Sequence, residues 1–442
     1  MGSGTMIAQA MDVASLSTFR LLLRALTIAA LVLGQGVRWL VGWIVLLLTF
    51  SGPARRRKWF GHCLLDLFRH LGATYIKVGQ IMSTRPDLVP EHITQALAHL
   101  QDDVGPFPYE AVARTIAEDL GRPIEQIFVE FSARPIASAS VSQVHKARLP
   151  DGRVVAVKVR RPDVLEICAF DLAVMKYVAR LIGKLPSMVA VSPESSVDQF
   201  ARAIYAQLDF RVEAHNNRRF RENFKNEPDV VFPEVFDEYS SERILCMTHI
   251  EGTKILDARK GPSDPKRIAR LGLRALMKMI FEDGFVHADL HPGNIFVLEH
   301  DRIAIVDLGL VGELDPPHRA TFSRFFSAWA SRDADTMAHL MYSLAVNPTG
   351  DDQAYQRFRE AIVEFMGRTW GHRMSEVHPG KLLLDMLGLL RKHRIRMAPA
   401  FTIVNIAIAV TEGIGRQLDP DLDLMAEAIP FFMTHPALFQ AS

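Results

Sequence analysis

The feature that most constrains this chain is a polar segment followed at once by a short β-hairpin pattern. Residues 287–294 read HADLHPGN and carry a carboxylate, Asp289, and an amide, Asn294. A hairpin predicted over residues 295–306 then returns a second carboxylate, Asp307, to the same place. Phosphoryl transfer needs such a set, because one carboxylate orients or deprotonates the acceptor while an amide and a carboxylate hold magnesium against the nucleotide phosphates.

The spacing of these residues resembles that of the protein-kinase catalytic loop and metal motif, H-x-D-x-x-x-x-N followed by D-x-G. This resemblance predicts Asp289 as the catalytic carboxylate and Asn294 and Asp307 as magnesium ligands. The alternative is a polar loop with an Asp-capped turn. It accounts for residues 307–309 alone but not for both motifs in this order.

A strand lysine extends the same prediction. Residues 154–159 are mostly β-branched and follow a turn at residues 151–152, so they are predicted to form a hairpin strand that carries Lys158. The stretch VAVK resembles the V-A-I-K strand of kinases, in which the lysine pairs with the α- and β-phosphates. The alternative is an exposed, solvated lysine.

The expected partner of Lys158 is Glu213. Residues 207–216 are predicted to be helical, which places Asp209, Glu213 and Asn216 along one face. In kinases a helix glutamate holds the strand lysine in place. The alternative is a surface charge pattern.

A loop of small residues precedes the lysine strand, where a usual kinase has a Gly-rich loop. Residues 135–145 read PIASASVSQVH, and the candidate phosphate-binding positions are Ala137, Ser138, Ala139 and Ser140. Small side chains still let backbone amides approach phosphate, although alanine and serine are stiffer than glycine. This loop, KVGQ at residues 77–80 and HADLHPGN together resemble the AarF/UbiB (ADCK-type) atypical kinase family over residues 71–312.

The resemblance implies an α+β, bilobal protein-kinase-like fold with an N-terminal helical extension. We predict four regions along the chain. They are a flexible start and hydrophobic membrane anchor (1–58), the helical extension with the KxGQ motif (59–130), a kinase-like N-lobe (131–250) and a kinase-like helical C-lobe (251–442).

The resemblance also implies a regulatory role for Lys77 and Gln80. In relatives these two residues reach into the nucleotide site and occlude the place where a peptide would lie. ATP hydrolysis or small-molecule chemistry is then favoured over protein phosphorylation. ATP and Mg²⁺ are the implied cofactors. Relatives support isoprenoid quinone biosynthesis and associate with membranes.

Three departures from the family pattern bear on these roles. Gln207 stands two residues before Asp209, where the family has a glutamate that pairs with the extension lysine, so in this regulatory set Lys77 is held less firmly. Ser138 replaces an alanine, and its hydroxyl either reaches phosphate or has no role. Residues 401–410 are too short for the C-terminal span of many bacterial members, so the N-terminal run is the predicted anchor.

Residues 25–50 are nearly all apolar, interrupted chiefly by Gln35 and Arg38. The run is long enough for a transmembrane helix of about 20 residues, and its apolar residues outweigh the insertion cost of Arg38, about 2.5–3.5 kcal/mol. A re-entrant or interfacial hairpin turning at residues 34–36 and a soluble core helix pair are the alternatives. If the run spans, the basic cluster at residues 55–58 predicts a kinase domain on the cytoplasmic face.

The composition excludes other classes of protein. The 51 Lys and Arg residues against 50 Asp and Glu residues leave a formal charge of +1, so no nucleic-acid partner is expected. The three cysteines, Cys63, Cys168 and Cys246, lie far apart. They predict neither a zinc site nor a disulfide framework, and they fit a reducing compartment.

The segment after residues 307–309 passes through residues 314–317 into a helical pattern, without the long activation segment that supports peptide docking in protein kinases. The sequence therefore predicts a membrane-associated Mg-ATP kinase or ATPase that supports ubiquinone or other isoprenoid-lipid biosynthesis. The expected partners are membrane lipids, isoprenoid quinone intermediates and quinone-biosynthesis proteins. A nucleotide-binding lipid or partner scaffold without significant turnover is the alternative, and a protein kinase is the third hypothesis.

Overall fold

The computed structural model describes residues 18–83, 89–100, 105–184, 193–345, 352–370, 379–393, 395, 397, 399–422, 427 and 430–431. The flexible start predicted within residues 1–58 lies outside the described residues as far as residue 17. The chain divides into two compact units. The first is formed by the described residues of Met1–Thr84, Val89–His215 and Val235–His249, and the second by those of Asn216–Glu234 and Ile250–Ser442.

The helices of both units are amphipathic, with apolar residues at three- and four-residue spacing on the buried face. In chain order they are α1 (Thr18–Leu48), α2 (Pro53–Leu71), α3 (Ala73–Ser83), α4 (Glu91–Leu97), α5 (Tyr109–Leu120), α6 (Ile124–Ile127), α7 (Val164–Ile182), α8 (Pro193–Leu208), α9 (Phe210–Asn223), α10 (Pro265–Met277), α11 (Pro316–Ala330), α12 (Ala334–Ser343), α13 (Asp352–Trp370), α14 (Pro379–Lys392) and α15 (Pro399–Leu418). Helices α1 to α8 belong to the first unit, α10 to α15 to the second, and α9 contributes residues to both.

The strands are short in both units. In chain order they are β1 (Glu130–Phe131), β2 (Ala137–Ser138), β3 (Ser142–Arg148), β4 (Val154–Arg160), β5 (Val230–Val231), β6 (Ile244–Thr248), β7 (Thr253–Lys254), β8 (Phe285–His287), β9 (Ile295–Val297), β10 (Ile303–Ile305) and β11 (Val311–Glu313).

The first unit contains an antiparallel sheet in the order β1-β3-β4-β6, and β2 pairs with residues 143–144 of β3. Strand β4 is central and is buried along nearly its whole length, which suits its β-branched residues. One core lies beneath this sheet around Val157 and Cys246, and a second joins α2, α3, α7 and α8 around Phe68 and Leu172.

The second unit is mainly helical and holds one large apolar core that includes Phe285, Phe322 and Phe401. A four-stranded sheet in the order β5-β10-β9-β7 and a two-stranded sheet of β8 and β11 lie in this unit. Strands β9 and β10 form an antiparallel hairpin in which Ile295 pairs with Ile305. The hairpin predicted over residues 295–306 is therefore confirmed.

The strand predicted over residues 154–159 is also confirmed, as β4. The prediction of one helix through residues 207–216 is wrong, because α8 ends at Leu208 and α9 begins at Phe210. Asp209 lies in the break, outside both helices. Its carboxylate accepts a hydrogen bond from the Arg211 backbone N–H at 3.0 Å, a capping contact that compensates for the interrupted helical bonds.

The apolar N-terminal run forms the single helix α1, so the alternative of a hairpin turning at residues 34–36 is wrong. Glycine without a helix-breaking partner is tolerated inside a long helix at a cost of about 1 kcal/mol. The span Phe19–Leu48 is long and apolar enough to cross a membrane, with a mean hydropathy of 1.8 in its most apolar part. No residue of that part is fully buried, although one side of the helix carries half-buried residues.

Candidate active site

The loop of the HADLHPGN motif is fixed by His287, which ends β8 and is fully buried in the second unit. The Nδ1 atom of His287 accepts a hydrogen bond from the Asp289 backbone N–H at 3.1 Å. Nε2 therefore carries the ring proton and donates to the Val306 carbonyl at 3.3 Å. Burial lowers the pKa of His287, against the opposing charge of Asp289. A neutral imidazole thus ties the backbone before Asp289 to the backbone before Asp307.

The amide of Asn294 lies buried at the other end of the loop. Its Nδ2 donates to the Asp289 backbone carbonyl at 3.1 Å, and the Asn294 backbone carbonyl accepts from the Val306 N–H at 2.9 Å. Because the Asp289 carbonyl can only accept, the Nδ2 contact fixes the orientation of the side-chain amide and leaves its Oδ1 for another partner.

A short 3₁₀ turn, Pro292–Asn294, connects the two ends of the loop. The Gly293 N–H donates to Nδ1 of His291 at 3.0 Å. The Lys254 ammonium donates to the Gly293 carbonyl and lies 3.8 Å from the centre of the Phe296 ring. The loop that carries Asp289 and Asn294 is therefore held by the side chains of His287, His291 and Lys254.

Asp307 follows β10 and has an exposed side chain. Its φ of +61° lies in the left-handed region, which aspartate tolerates better than most residues. Asn216 on α9 donates from Nδ2 to the carbonyl of the next residue, Leu308, at 2.8 Å, and Asn216 is itself buried. The structure thus brings the segments of Asp289, Asn294 and Asp307 together within the second unit.

The donor set fits a hard divalent cation. Mg²⁺ takes oxygen ligands, usually one or two from the protein, with phosphate and water oxygens completing the shell. The Asp307 carboxylate and the Oδ1 atom left on Asn294 are ligands of this kind. Within the described part of the chain, no cluster of three or more His, Cys, Asp or Glu residues is arranged to hold a metal without a nucleotide.

The lysine of β4 makes a buried ion pair in the first unit. Nζ of Lys158 lies 2.8 Å and 3.1 Å from the two carboxylate oxygens of Glu213, and the two side chains are 11% and 5% exposed. The Phe210 ring lies 5.4 Å from the same ammonium. The predicted pairing of Lys158 with Glu213 is confirmed, and its catalytic role remains a prediction.

The helix that carries Glu213 is clamped at its first turn. The Arg211 guanidinium contacts the buried Asp209 carboxylate at 2.8 and 2.9 Å and reaches Glu242 at 3.4 Å. The Arg160 guanidinium links the end of α8 to Glu242, because it donates to the Leu208 carbonyl at 2.6 Å and to the Glu242 carboxylate at 3.1 Å. Asp209, predicted as a regulatory residue, is therefore a structural cap for α9 in the described residues.

The loop of small residues is pinned by Arg161, which directly follows β4. Its guanidinium donates to the Ala139 carbonyl at 2.9 Å, to the Ser138 hydroxyl at 3.0 Å and to the Gly105 carbonyl at 2.7 Å. The hydroxyl that Ser138 adds to the family pattern thus contacts an arginine. Ala137 and Ser138 form β2, and Ser140 is fully buried.

A second tether joins the same loop region to the extension. The Gln143 side chain accepts from the Phe107 N–H at 3.0 Å and donates to the Phe107 carbonyl at 3.3 Å. Its Nε2 also donates to Nε2 of the buried His145 at 3.0 Å, so Nδ1 of His145 donates to the Ser132 carbonyl at 2.7 Å. Burial lowers the pKa of His145. The Phe107 ring also stacks against the guanidinium of Arg161, 5.3 Å away.

The KVGQ motif lies on α3. Gln80 donates to the Leu100 carbonyl at 3.3 Å. A Cβ on Gly79 would overlap the side chains of Leu100 and Phe68, so glycine is required for this close packing. Lys77 and Gln207, the other residues of the predicted regulatory set, are both half-buried in the same unit.

Three functional contacts were not predicted from the sequence. They are the hydrogen bond from Asn216 to Leu308, the bridging of two backbone segments by His287, and the contacts of Arg161 with the loop predicted to bind phosphate. The role of Asn216 could have been predicted, because it follows Glu213 by about one helical turn on the same face. The role of Arg161 could not be predicted from local sequence, because its partners lie 22 to 56 residues away in the chain.

Comparisons with known proteins agree with this arrangement. Residues 99–341 match the ABC1 atypical kinase-like domain, and residues 362–423 match the UbiB helical domain. The chain is 34% identical over 380 residues to "Probable protein kinase UbiB" of Vibrio parahaemolyticus, covering 84% of this chain and 70% of that protein. It is 34% identical over 401 residues to the protein of the same name from Pseudomonas paraeruginosa, covering 87% and 75%.

A solved structure shares the fold. The complex of Rv3197 with erythromycin from Mycobacterium tuberculosis matches with a TM-score of 0.55 and 24% identity, over 79% of this chain and 90% of that one. The α+β kinase-like fold predicted from the sequence is thereby confirmed. The two domain matches and the relatives together show that this chain belongs to the ABC1/UbiB family of atypical kinases.

Proposed function

We propose that this chain is a membrane-associated atypical kinase or ATPase that binds ATP with Mg²⁺ and supports the biosynthesis of ubiquinone or another isoprenoid lipid. Membership of the ABC1/UbiB family supports the class of activity. The observation that carries the proposal furthest is the buried pair of Lys158 and Glu213. A lysine held in this way on a strand is the phosphate-binding device of kinase-like folds.

The remaining roles follow the same logic. Lys158 contacts the α- and β-phosphates, Asn294 and Asp307 hold the magnesium ion, and Asp289 orients or deprotonates the acceptor. The small side chains of residues 137–140 let the backbone approach the phosphates. Bound Mg²⁺ neutralises charge that develops on the transferred phosphoryl group.

The proposal excludes a protein substrate, although the curated relatives are named as probable protein kinases. In the described residues, β11 and a helix beginning at Pro316 follow Asp307 within nine positions. Asp315 caps that helix through the His318 N–H at 2.9 Å. No room is left there for an activation segment on which a peptide could dock.

Membrane association rests on α1, the described helix that has the length and apolarity to enter a bilayer. The basic residues at positions 55–58 favour the cytoplasmic side. We therefore expect the kinase-like domain at the cytoplasmic face, with membrane lipids or isoprenoid quinone intermediates and quinone-biosynthesis proteins as partners.

The test is ATP hydrolysis by the full chain, measured with and without liposomes, in the parent and in Lys158→Ala, Asp289→Asn and Asp307→Asn. We expect each change to abolish turnover, and Lys158→Ala to weaken nucleotide binding as well. Asp257→Asn is the matched control, because Asp257 is exposed and, among the described residues, its ion-pair partner is the surface residue Lys260. Nucleotide binding without turnover in the parent would instead support a scaffold.

A further inference from the structure

One face of α1 is packed against the first unit along the length of the helix. The packed positions recur at three- or four-residue spacing, and they include Leu21, Arg24, Ile28, Leu31, Gln35 and Trp39. This spacing traces a single stripe on a helix. The body of the protein therefore covers one side of α1 and leaves the other side uncovered.

The packed stripe is locked by a buried ion pair. The Arg24 guanidinium lies 2.7 Å and 3.0 Å from the two carboxylate oxygens of Asp171, which is fully buried on α7. It also donates to the Leu71 carbonyl at 2.6 Å. Separating α1 from the body would leave the Asp171 carboxylate buried without this partner, and such an orphaned charge is strongly destabilising.

The other two charges of α1 are used in the same way. Arg20 lies 2.7 Å from Glu166, and Arg38 lies 2.7 Å from Asp66. The charge of Arg38 is thus compensated by Asp66 on α2, so α2 would have to enter the membrane together with Arg38 for this pair to persist. A helix that crossed the bilayer alone would break all three pairs.

The opposite face of α1 is apolar and exposed. Its residues include Leu22, Leu26, Leu33, Val37, Leu40 and Leu48, with exposed fractions between 48% and 74%. The helix is 31 residues long, about 46 Å at 1.5 Å per residue, whereas the hydrocarbon core is about 30 Å thick. An apolar face on a helix of this length suits a position in the plane of the interface.

The chain after α1 adds charge that complements a lipid surface. Arg55, Arg57 and Lys58 at the start of α2 are exposed, and none has an ion-pair partner among the described residues. Basic residues next to an interfacial helix attract anionic headgroups. The exposed apolar face and these cations therefore specify the same partner, an anionic lipid surface.

We propose that α1 is a monotopic anchor that lies in the plane of the membrane surface. Its apolar face enters the lipid, and its opposite face carries the rest of the first unit. This inference rests on the membrane association proposed above and assigns its geometry. It differs from a transmembrane anchor, in which the ends of α1 would lie on opposite sides of the bilayer.

The test is a depth measurement on the full chain bound to vesicles of phosphatidylcholine and phosphatidylglycerol. Single cysteines at Leu26, Leu33, Leu40 and Leu47 carry an environment-sensitive fluorophore, and lipid quenchers at known depths report on each. These positions are seven residues apart, so they share one face. The native cysteines Cys63, Cys168 and Cys246 are buried, so only the introduced thiol is accessible. A cysteine at the exposed Glu130 is the control outside the membrane.

A monotopic anchor gives the same shallow depth at all four positions. Cysteines at the exposed Arg20, outside the apolar face, and at the exposed Phe50, beyond the end of α1, then react with an impermeant maleimide from the same side. A spanning helix gives maximal depth near Leu33 and ends on opposite sides. That result would overturn the proposal and leave membrane association intact.

Charge and self-association give further outcomes. Changing Arg55, Arg57 and Lys58 to glutamine is expected to weaken binding to the anionic vesicles by on the order of 100-fold, with little change on phosphatidylcholine alone. A dimer that forms through the apolar face and does not bind vesicles would overturn the proposal. Because depth is measured without nucleotide, failure of ATP turnover would count against the proposed activity and leave this geometry standing.

Discussion

The guanidinium of Arg161 donates to the carbonyl of Ala139 at 2.9 Å. The residue that directly follows the lysine strand thus holds the loop expected to bind phosphate. The same guanidinium reaches Gly105, and Gln143 holds Phe107 two residues further on. In the described residues, Arg161 and Gln143 therefore both join the extension to the loop that is expected to bind phosphate.

Replacing Arg161 with lysine is expected to weaken nucleotide binding about tenfold, the equivalent of about 1.4 kcal/mol. One ammonium cannot reproduce three contacts made by a planar fork, so the loop loses its preorganised shape. Titration of a fluorescent nucleotide measures the change. Ser138→Ala removes one acceptor and should have a smaller effect. Arg148→Lys, at an exposed arginine of β3, is the control, and equal affinities for all three variants would contradict the clamp.

The pair of Lys158 and Glu213 predicts a separation of stability from binding. Lys158→Met leaves a buried carboxylate unpaired, at an expected cost of about 3–5 kcal/mol in the free energy of unfolding. The double variant Lys158→Met, Glu213→Leu should recover most of this stability, because both charges are gone. Chemical denaturation and nucleotide titration on the same samples check it. Recovery of nucleotide binding in the double variant would contradict the role of Lys158.

Asn216 is expected to position the segment after Asp307. Asn216→Ala removes a buried donor from the Leu308 carbonyl and should cost about 1–3 kcal/mol of stability. If Asp307 holds magnesium, the same change should raise the Mg²⁺ concentration needed for half-maximal ATP hydrolysis. A matched change at the neighbouring exposed position, His215→Ala, should leave the magnesium requirement as it is. If Asn216→Ala leaves the magnesium requirement unchanged, Asn216 contributes to stability and does not position Asp307.

Two buried histidines predict loss of stability in acid. Burial lowers the pKa of His145 and of His287 below the ordinary value of 6.5. The unfolded chain therefore binds protons that the folded chain does not, so this stability is fully present above about pH 6.5 and is lost as the pH falls through the lowered values. Thermal unfolding between pH 8 and pH 5 should show the decline. His145→Gln should flatten it, and an unchanged slope would exclude that histidine as a cause.

The neutral Gln207 predicts a change in basal rate. Gln207→Glu should strengthen the hold on Lys77, since a charge-assisted hydrogen bond is stronger than a neutral one. The difference is about 1 kcal/mol, so basal ATP hydrolysis should fall by about fivefold. Gln199→Glu on the exposed side of α8 is the control for added charge. Identical rates in parent and Gln207→Glu would mean that the departure from the family pattern is neutral.

The parts of the site that lie close together in the chain could be predicted from the sequence. One loop and one hairpin separate Asp289, Asn294 and Asp307. Local turn and strand patterns in the sequence determine the path of both, and so bring the three residues together. The strand of Lys158 was predictable for the same reason. The pairing of Lys158 with Glu213 spans 55 residues and came from the kinase resemblance, not from periodicity.

Contacts that depend on tertiary packing could not be predicted. The break at Asp209 does not disturb the three- and four-residue spacing of apolar residues, so the pattern read as one helix. What ends α8 is a set of contacts from Arg160 and Glu242, which lie 48 and 34 positions from the helix end. Which face of α1 packs against the first unit was likewise not predictable, because it depends on partners such as Asp171, which lies 147 residues after Arg24 in the chain.

The capped start of α9 has a consequence for regulation. Many kinases are switched on and off by swinging the helix that bears the lysine-pairing glutamate. Here the first turn of that helix is held by the contacts of Arg211 with the buried Asp209 and with Glu242, so such a movement would break these ion pairs. For the proposed kinase or ATPase, α9 then stays where Glu213 pairs with Lys158, and regulation would act on access to the site instead of on the position of this helix.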